Sequence, residues 1–294
     1  MVNDGDQRPA VGVLAAWGRL PIVVAEAMRA SGHRVVCLGV RDHAVAADYA
    51  DIADAFHWIG PSRLGTAIRL FRRYGVEHAT MAGKFHKVNL YKPGALVRYA
   101  PDWTGLRAFY SHFVGHSADR KDDTLLGRIV EVFAEGGITM EPATDFAPEL
   151  LVSEGLVAGR PLSAKQQADV AFGWDLAREM GRLDVGQSVC IKGRAAIAIE
   201  AIEGTDLCIQ RAGQMCPGGG FTVVKVAKPN QDMRFDVPTV GVQTLQTMHA
   251  AGASVLVIEA DRTILLDQAA FQGFAKKHGI TVVAQKAEAI AAAA

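Results

Sequence analysis

The sequence predicts an α/β protein with two α/β domains, the first built on a Rossmann-like parallel sheet and the second on a mixed sheet. The chain has 294 residues, enough for two domains of ordinary size. Short apolar runs alternate with helical segments in both halves, which is typical of α/β folds. The pattern weakens between Pro148 and Pro161. We therefore expect an N-terminal domain at 1–147, a linker at 148–162 and a C-terminal α/β domain at 163–294.

The overall charge argues against a nucleic-acid partner. The chain carries 31 basic and 31 acidic residues, so its formal net charge is zero. Proteins that bind nucleic acid without a local site usually have a basic excess. Any basic binding site in this chain must therefore be local.

The cysteines and the N-terminus indicate a cytoplasmic protein. Cys37, Cys190, Cys208 and Cys216 are scattered, without a CxxC pair or histidines at zinc spacing. We expect them to be reduced thiols. The N-terminus is polar and acidic, unlike a signal peptide. No apolar run approaches the roughly 18 residues that span a bilayer, so we expect a soluble protein that is at most associated with a membrane surface.

The first half begins as a βαβ unit. The pattern predicts a strand at 10–16, a helix at about 21–30 and a strand at 34–40. A second helix at about 62–74, with Ser62 as its N-cap, and a strand at 78–82 continue the alternation. A parallel sheet follows from this order.

Two positions at the ends of these strands bear on ligand binding. The turn after the first strand contains one glycine, Gly18, whereas the dinucleotide fingerprint GxGxxG needs three, so an NAD site is disfavoured. Lys84 follows the strand at 78–82 and would lie at the carboxyl edge of the sheet, where α/β ligands usually bind. We expect it to bind substrate, although an ordinary surface lysine is the alternative.

The segment from 99 to 116 carries two aromatic clusters. We expect these aromatics to pack a helix onto the sheet. His112 and His116 lie four residues apart, but no third ligand accompanies them, so a metal pair is disfavoured.

A helix is predicted from Lys121 to about Ala134. Acids at a helix start are explained by capping and by the helix dipole. The adjacent Asp122 and Asp123, beside Lys121, leave a metal or phosphate role open.

In the second half, Ser163 is predicted to cap a helix that ends near Gly181, and a hairpin is predicted at 186–201. Later elements are predicted as follows: strands at 221–226, 254–259, 263–266 and 281–284, and helices at about 242–251 and up to 278.

A second candidate site follows the hairpin. Glu203, Gly204, Thr205 and Asp206 combine exposed amides, a hydroxyl and carboxylates at a strand-to-helix junction. This combination suits a phosphate or a metal ion. The alternative is an ordinary N-cap formed by Thr205 or Asp206.

The stretch at 225–241, KVAKPNQDMRFDVPTVG, is the strongest candidate for the chemistry. Its prolines predict a stiff, extended loop followed by a helix near Gly241. Lysine and arginine bind phosphate oxygens, and carboxylates bind hard divalent cations. A solvated connector is the alternative. Its charged residues are Lys225, Lys228, Asp232, Arg234 and Asp236, and it also carries the hydroxyl of Thr239.

Six segments together resemble one family, the cytosolic UDP-2,3-diacylglucosamine pyrophosphatases of lipid A biosynthesis. They are GRLP (18–21), AGK (82–84), KDDTLL (121–126), GRLDVGQSV (181–189), IEAIEGTD (199–206) and KPNQDMRFDVPTVG (228–241). They occur in the family's order over most of the chain. The family's glycine-rich first turn is reduced here to one glycine.

The resemblance implies hydrolysis of UDP-2,3-diacylglucosamine to UMP and 2,3-diacylglucosamine 1-phosphate (lipid X), assisted by Mg²⁺ or another divalent cation. It places Asp236 at the position of an essential aspartate. Catalytic roles are expected for Asp236, Arg234 and Lys228. Substrate-binding roles are expected for Lys84, Lys121, Gly204, Thr205, Lys225 and Thr239. Metal-binding roles are expected for Asp236, Asp122, Asp123, Glu203 and Asp206.

The resemblance also implies a cleft between the domains and water attacking the phosphorus nearer the sugar. Because the substrate is amphiphilic and the chain has no spanning segment, we expect an apolar groove between the domains to hold the acyl chains. Two other classes stay open: a non-catalytic sugar-nucleotide or lipid-binding protein, and a nucleotide-dependent oxidoreductase. A homodimer also stays open.

Overall fold

The structure is a computed structural model that describes residues 8–85, 94, 98–114, 122–229 and 231–287; at 111–114, 122 and 123 it describes the backbone alone. Contacts divide the chain into two compact units. The first contains Met1–Pro148 and Asp232–Asp236, and the second contains Glu149–Gln231 and Val237–Ala294. The division falls next to the expected linker, whereas Asp232–Asp236 groups with the N-terminal part of the chain.

The first unit has a five-stranded parallel sheet with the strand order β3-β2-β1-β4-β5. Its strands are β1 (Ala10–Ala15), β2 (Arg34–Val40), β3 (Ala55–Ile59), β4 (His78–Ala82) and β5 (Thr139–Met140). Its helices are α1 (Leu20–Ala30), α2 (Leu64–Arg73), α3 (Trp103–Val114), α4 (Asp122–Glu135) and α5 (Ala143–Phe146). The predicted Rossmann-like parallel sheet is confirmed.

The strand order of this sheet contains one reversal. The chain goes from β1 to β2 on one side, and β4 then pairs with β1 on the other side. The order therefore reverses between β1 and β4. In open α/β sheets, ligands bind at the carboxyl ends of the strands at such a reversal.

The start of α2 differs from the prediction that Ser62 is its N-cap. Arg63 occupies the N-cap position and makes no side-chain cap. The Ser62 hydroxyl instead donates a hydrogen bond to the carbonyl of Tyr99. A carboxylate from another part of the chain, Asp102, accepts from the first-turn amides of α2, so the local sequence gave no signal for this cap.

Two aromatic residues of α3 differ from the prediction that the aromatics pack the helix onto the sheet, whereas Phe109 packs against the core as predicted. Ala108 is buried, but Trp103 and Tyr110 are 79% and 63% exposed. At Gly105 the helix lies very close to Ser62. A Cβ atom added at Gly105 would lie 1.9 Å from the Ser62 carbonyl oxygen, so no large side chain fits at this position. Gly105, Ala108 and the partly buried Phe109 therefore face inward, and Trp103 and Tyr110 fall on the outer face.

The second unit has a six-stranded mixed sheet with the order β6-β13-β11-β9-β7-β8, beside a short parallel pair, β10 and β12. The strands are β6 (Gly155–Ala158), β7 (Ser188–Lys192), β8 (Ala195–Ile199), β9 (Phe221–Lys225), β10 (Thr239–Val240), β11 (Ala253–Glu259), β12 (Ile264–Leu265) and β13 (Thr281–Gln285). The helices are α6 (Ala164–Arg182), α7 (Thr205–Met215), α8 (Val242–Ala251) and α9 (Gln268–His278).

Strands β9, β11 and β13 are parallel, whereas β7 runs antiparallel to β9 and β6 antiparallel to β13. The mixed sheet is thus confirmed. Ser163 forms the predicted cap of α6 in a capping box with Gln166. The hairpin β7–β8 turns at Gly193 and Arg194, which both have positive φ, and the Asp169 carboxylate accepts from both of their amides at 3.1 and 2.6 Å.

Candidate active site

In the first unit, a backbone bridge joins the two turns at the strand-order reversal. The Trp17 amide donates to the Lys84 carbonyl at 3.1 Å, and the Lys84 amide donates to the Trp17 carbonyl at 2.7 Å. Gly83 permits this approach: its φ is +100°, and an added Cβ would lie 2.8 Å from the Trp17 carbonyl oxygen. The bridge fixes Lys84 at the carboxyl edge of the sheet, where its side chain is exposed.

The same bridge occupies amides of the first turn. The Ala16 amide donates to the Ala82 carbonyl at 2.9 Å, and the Trp17 amide is held by Lys84. In dinucleotide-binding folds the glycine-rich first turn is open, so that backbone amides reach a pyrophosphate. Here these two amides tie neighbouring turns together instead.

In the second unit, three polar side chains meet where β7 begins and β8 has just ended. The Glu200 Oε1 atom accepts from the Thr205 hydroxyl at 3.2 Å, and the Ser188 hydroxyl lies 3.1 Å from the Thr205 hydroxyl. Glu200 is 7% exposed and Ser188 is 1% exposed. The second carboxylate oxygen, Glu200 Oε2, is buried with no hydrogen-bond partner among the described residues.

The N-terminus of α7 lies at this cluster. Gly204, with φ +84°, is the N-cap residue, and no side chain caps the helix. The alternative that Thr205 or Asp206 caps the helix is therefore wrong, because Thr205 is already helical and its hydroxyl bonds Glu200 instead. Asp206 accepts a long hydrogen bond, 3.4 Å, from Gln243. First-turn amides without a side-chain cap suit an anionic group.

Glu203, a predicted metal ligand, is engaged by protein groups. Its carboxylate accepts from Arg211 and from the Ala201 amide. Its own backbone amide and the Arg211 guanidinium hold the pKa of the Glu203 carboxyl below its usual value. The ion pair with Arg211 competes with any metal role.

Lys225 and Glu259 lie at the carboxyl ends of the adjacent parallel strands β9 and β11. Lys225 is buried, and its Nζ atom donates to the Thr239 carbonyl at 3.1 Å. Glu259 is also buried and accepts from the Ala227 amide at 2.8 Å. These contacts anchor the segment that leaves β9.

Two motif segments of the predicted family meet at Lys228. Its ammonium group forms a 2.7 Å ion pair with Asp184, and both side chains are half-buried. Gly181, at the end of α6, lets the helix approach: an added Cβ would lie 3.3 Å from the Lys228 Cα atom. The GRLDVGQSV and KPN segments are thus held together by a glycine contact and by an ion pair.

The middle of the 225–241 stretch is a turn, which differs from the predicted extended loop. The turn spans residues 233–235. The Arg234 guanidinium, predicted to hold phosphate, binds the Asp232 carboxylate, with Nε–Oδ1 and Nε–Oδ2 distances of 2.9 and 3.1 Å. Hydrogen bonding from Arg234 lowers the pKa of the Asp232 carboxyl. The ion pair between Asp232 and Arg234, two residues apart, stabilises this turn.

The backbone around Asp236 is held on both sides. The Asp236 amide donates to the Asp232 carbonyl at 3.0 Å, and the preceding Phe235 packs against the apolar core of the first unit. On the other side, the Pro238 carbonyl accepts from the Ile264 amide at 2.8 Å. Proline at 238 also restricts Val237 to extended conformations. The Asp236 side chain therefore projects from a fixed backbone.

These segments supply carboxylate oxygens, the type of ligand that Mg²⁺ prefers. Within the described ranges there is no group of three or more His, Cys, Asp or Glu side chains that could hold a metal ion. Mg²⁺ is commonly bound through one or two carboxylates, with water and substrate phosphates completing its shell. Asp206 in the second unit offers a carboxylate of this kind, and Asp236, grouped with the first unit, offers another. Lys121 lies outside the described residues, as do the side chains of Asp122 and Asp123.

Comparison with known proteins identifies the family. The family model of the LpxI N-terminal domain matches residues 10–150, and that of the LpxI C-terminal domain matches residues 153–283. The chain belongs to the LpxI family. It is similar to the UDP-2,3-diacylglucosamine pyrophosphatase LpxI of Caulobacter vibrioides, with 29% identity over 281 residues, covering 93% of this chain and 96% of that protein. The resemblance inferred from the LpxI-like motifs is confirmed.

Three residues of the LpxI C-terminal domain region were not singled out from the sequence: Asp184, Ser188 and Glu259. Glu200, inside the IEAIEGTD segment, was given no role there either. Asp184 and Ser188 lie inside the GRLDVGQSV motif, which was a usable signal. Glu259 ends a buried strand, and a charged residue at the carboxyl end of a parallel strand is also a signal for a site. None of the three is close in sequence to the residues that it contacts.

Proposed function

We propose that this protein hydrolyses the pyrophosphate of UDP-2,3-diacylglucosamine, giving UMP and 2,3-diacylglucosamine 1-phosphate. The observation that carries the proposal is the match of both LpxI domains, together with a relative of that named activity aligned over nearly the full length of both chains. A coincidental likeness of one α/β domain would not extend over both.

The second unit offers groups that suit a phosphate. Lys225 is the last residue of β9, and Lys228 follows it three residues later. The N-terminus of α7 carries no side-chain cap. Ser188, which precedes α7 in the chain, pairs with Lys225 in the β7–β9 ladder and bonds Thr205 at the start of α7. The cationic segment and the helix N-terminus therefore lie at one edge of one sheet. We propose that phosphate oxygens bind along this edge.

The role proposed for Asp236 is to orient the attacking water or to hold a divalent cation beside the phosphates. A bound cation would neutralise phosphate charge and polarise a phosphorus–oxygen bond. A carboxylate on a fixed backbone loses little freedom on reaching its working geometry. The protein's own contribution is thus the anchoring of this carboxylate by the Asp232 carbonyl and by Pro238.

In the reaction, the oxygen of water bonds to one phosphorus while the bond from that phosphorus to the bridging oxygen breaks. We propose attack at the phosphorus nearer the sugar, which makes UMP the leaving group. Attack at the other phosphorus would give the same two products, but the water oxygen would enter UMP.

We propose that the protein works in the cytoplasm with peripheral contact to the inner face of the inner membrane, because the substrate is a lipid. Among the described residues no helix is long and apolar enough to cross a membrane.

The test is UMP release from the diacylated substrate by the purified full-length chain, with Mg²⁺ and with excess chelator. We expect release with Mg²⁺ and its loss with chelator. Substrate binding without any UMP release would favour a non-catalytic binding protein and refute the hydrolase. Equal release in chelator would remove the cation from the mechanism and leave the hydrolase in place.

A further inference from the structure

Helix α3 carries an exposed apolar stripe. Trp103, Leu106 and Tyr110 are 79%, 45% and 63% exposed. They are spaced i, i+3 and i+7, so they lie along one face of the helix. Gly105 and Ala108 form the opposite, buried face. The inner face of this helix is already buried. Large apolar residues exposed on its outer face therefore indicate an interaction surface.

Asp102 fixes the position of this helix beside α2. Its carboxylate accepts from the Thr66 amide at 2.7 Å and the Gly65 amide at 3.3 Å in α2, and from the Gly105 amide at 2.9 Å in α3. One carboxylate thus binds the N-terminal turns of both helices. The two helices therefore start side by side.

Arginines of α2 lie on the side that faces α3. The Arg69 guanidinium donates to the Thr66 hydroxyl at 3.2 Å, and that hydroxyl donates to Asp102 at 3.0 Å. Arg73 follows one helical turn later and is exposed, as is Arg107 on α3. A band of guanidinium groups therefore borders the apolar stripe.

We propose that this face of α2 and α3, made of the apolar stripe and its bordering arginines, docks on the surface of an anionic lipid bilayer. Tryptophan and tyrosine favour the membrane–water interface, and arginine is attracted to anionic headgroups. An interfacial helix combines these two features. The choice of a bilayer rests on the proposed function, since a substrate with two acyl chains resides in a membrane.

A second copy of the chain fits this face less well. Three side chains spread over about 10 Å of helix offer about 600 Å² at most. A stable protein interface buries about 800 Å² on each partner. Arginines facing arginines across a symmetric contact would also repel. A bilayer needs neither a large matched surface nor opposite charges on a second protein.

The experiment measures co-sedimentation of the full-length chain with vesicles of phosphatidylglycerol and phosphatidylcholine in equal parts, without substrate. We expect binding that weakens as salt is raised and is much weaker on pure phosphatidylcholine. The variant Trp103→Ser/Leu106→Ser/Tyr110→Ser should lose binding. Arg69→Glu/Arg73→Glu should weaken it about tenfold or more on the anionic vesicles. A matched control, Leu156→Ser/Met215→Ser, replaces exposed apolar residues of the second unit and should bind as wild type.

Wild-type chain that stays in the supernatant, or a triple variant that binds as well as wild type, would overturn the proposal. So would a triple variant whose main change, by gel filtration, is the loss of a dimer. Because the vesicles contain no substrate, the result is independent of catalysis. Absence of UMP release would refute the proposed function without touching the vesicle result.

Discussion

The Thr205 hydroxyl lies 3.2 Å from Glu200 Oε1, and the other oxygen of the same carboxylate is buried with no hydrogen-bond partner among the described residues. A buried carboxylate oxygen without a donor is costly, because the lost hydration is not replaced. Such a group at the N-terminus of α7 is explained if a donor on the substrate completes it.

The first prediction follows for Glu200→Gln. The amide keeps an acceptor for Thr205 but places an NH₂ group where the substrate donor would bind. We expect kcat/KM to fall about tenfold or more, with a free energy of unfolding within about 1 kcal/mol of wild type. The measurement pairs steady-state kinetics with chemical unfolding. Loss of stability with unchanged kcat/KM would make Glu200 a purely structural residue.

The second prediction concerns Asp236→Ala. The backbone there is held by the Asp232 carbonyl and by Pro238, so removing the carboxylate should leave the fold intact. We expect kcat to fall about 100-fold or more while KM changes less, because the group acts mainly in the transition state.

The control for Asp236 is Asp175→Ala, an exposed acid on α6. Asp232 is a poor control despite lying in the same loop, because its loss would release Arg234. Retention of more than about a tenth of the wild-type rate by Asp236→Ala would remove this stretch from the centre of the active site.

The third prediction concerns Asp102 and pH. Burial alone would raise the pKa of this carboxyl, but three backbone amides and the Thr66 hydroxyl outweigh it and lower the pKa. A carboxyl with a depressed folded-state pKa contributes stability above its unfolded pKa, about 3.9, and loses it as pH falls through the folded value. We expect Asp102→Ala to cost about 1–4 kcal/mol near neutral pH, because two helices lose a cap.

The difference between Asp102→Ala and wild type should shrink in acid, when both lack the charged cap. Urea unfolding at neutral pH and below pH about 3 measures it. Asp261→Ala, which removes an exposed ion pair with Lys286, is the control and should cost about 0.5 kcal/mol or less. A cost for Asp102→Ala that is the same at both pH values would contradict the capping role.

The fourth prediction uses labelled water. Attack at the phosphorus nearer the sugar places the heavy oxygen in 2,3-diacylglucosamine 1-phosphate. Mass spectrometry of both products distinguishes the two routes. Label found in UMP would reverse the assignment.

Regular elements were predictable where the apolar pattern is strong. Strands β2 and β4 begin and end at the predicted residues, because each is a compact run of strand-forming residues bounded by polar or glycine positions. Strands β3, β5, β6 and β10 were missed. β6 and β10 are short, with four and two residues, and depend on pairing with β13 and β12, which is far away in sequence.

The sequence predicted which segments form the candidate site, but not which side chains contact each other there. The sequence indicated Lys228 and Thr205, yet their partners Asp184 and Glu200 are set by how strand ends and helix ends meet. The phosphate role expected for Arg234 stays a prediction, and its ion pair with Asp232, two residues away, was not foreseen from the sequence. The exposure of Trp103 and Tyr110 was not predictable, since it depends on how closely Gly105 approaches Ser62.

Asp232–Asp236 lies late in the chain but belongs to the first unit, where Phe235 packs against its core. If the gene were divided after Pro148, the N-terminal fragment would lack Phe235, which packs against its core. The C-terminal fragment would carry Phe235 without the core that it packs against. Two co-expressed fragments would restore function only if residues 232–236 of the second fragment packed into the first.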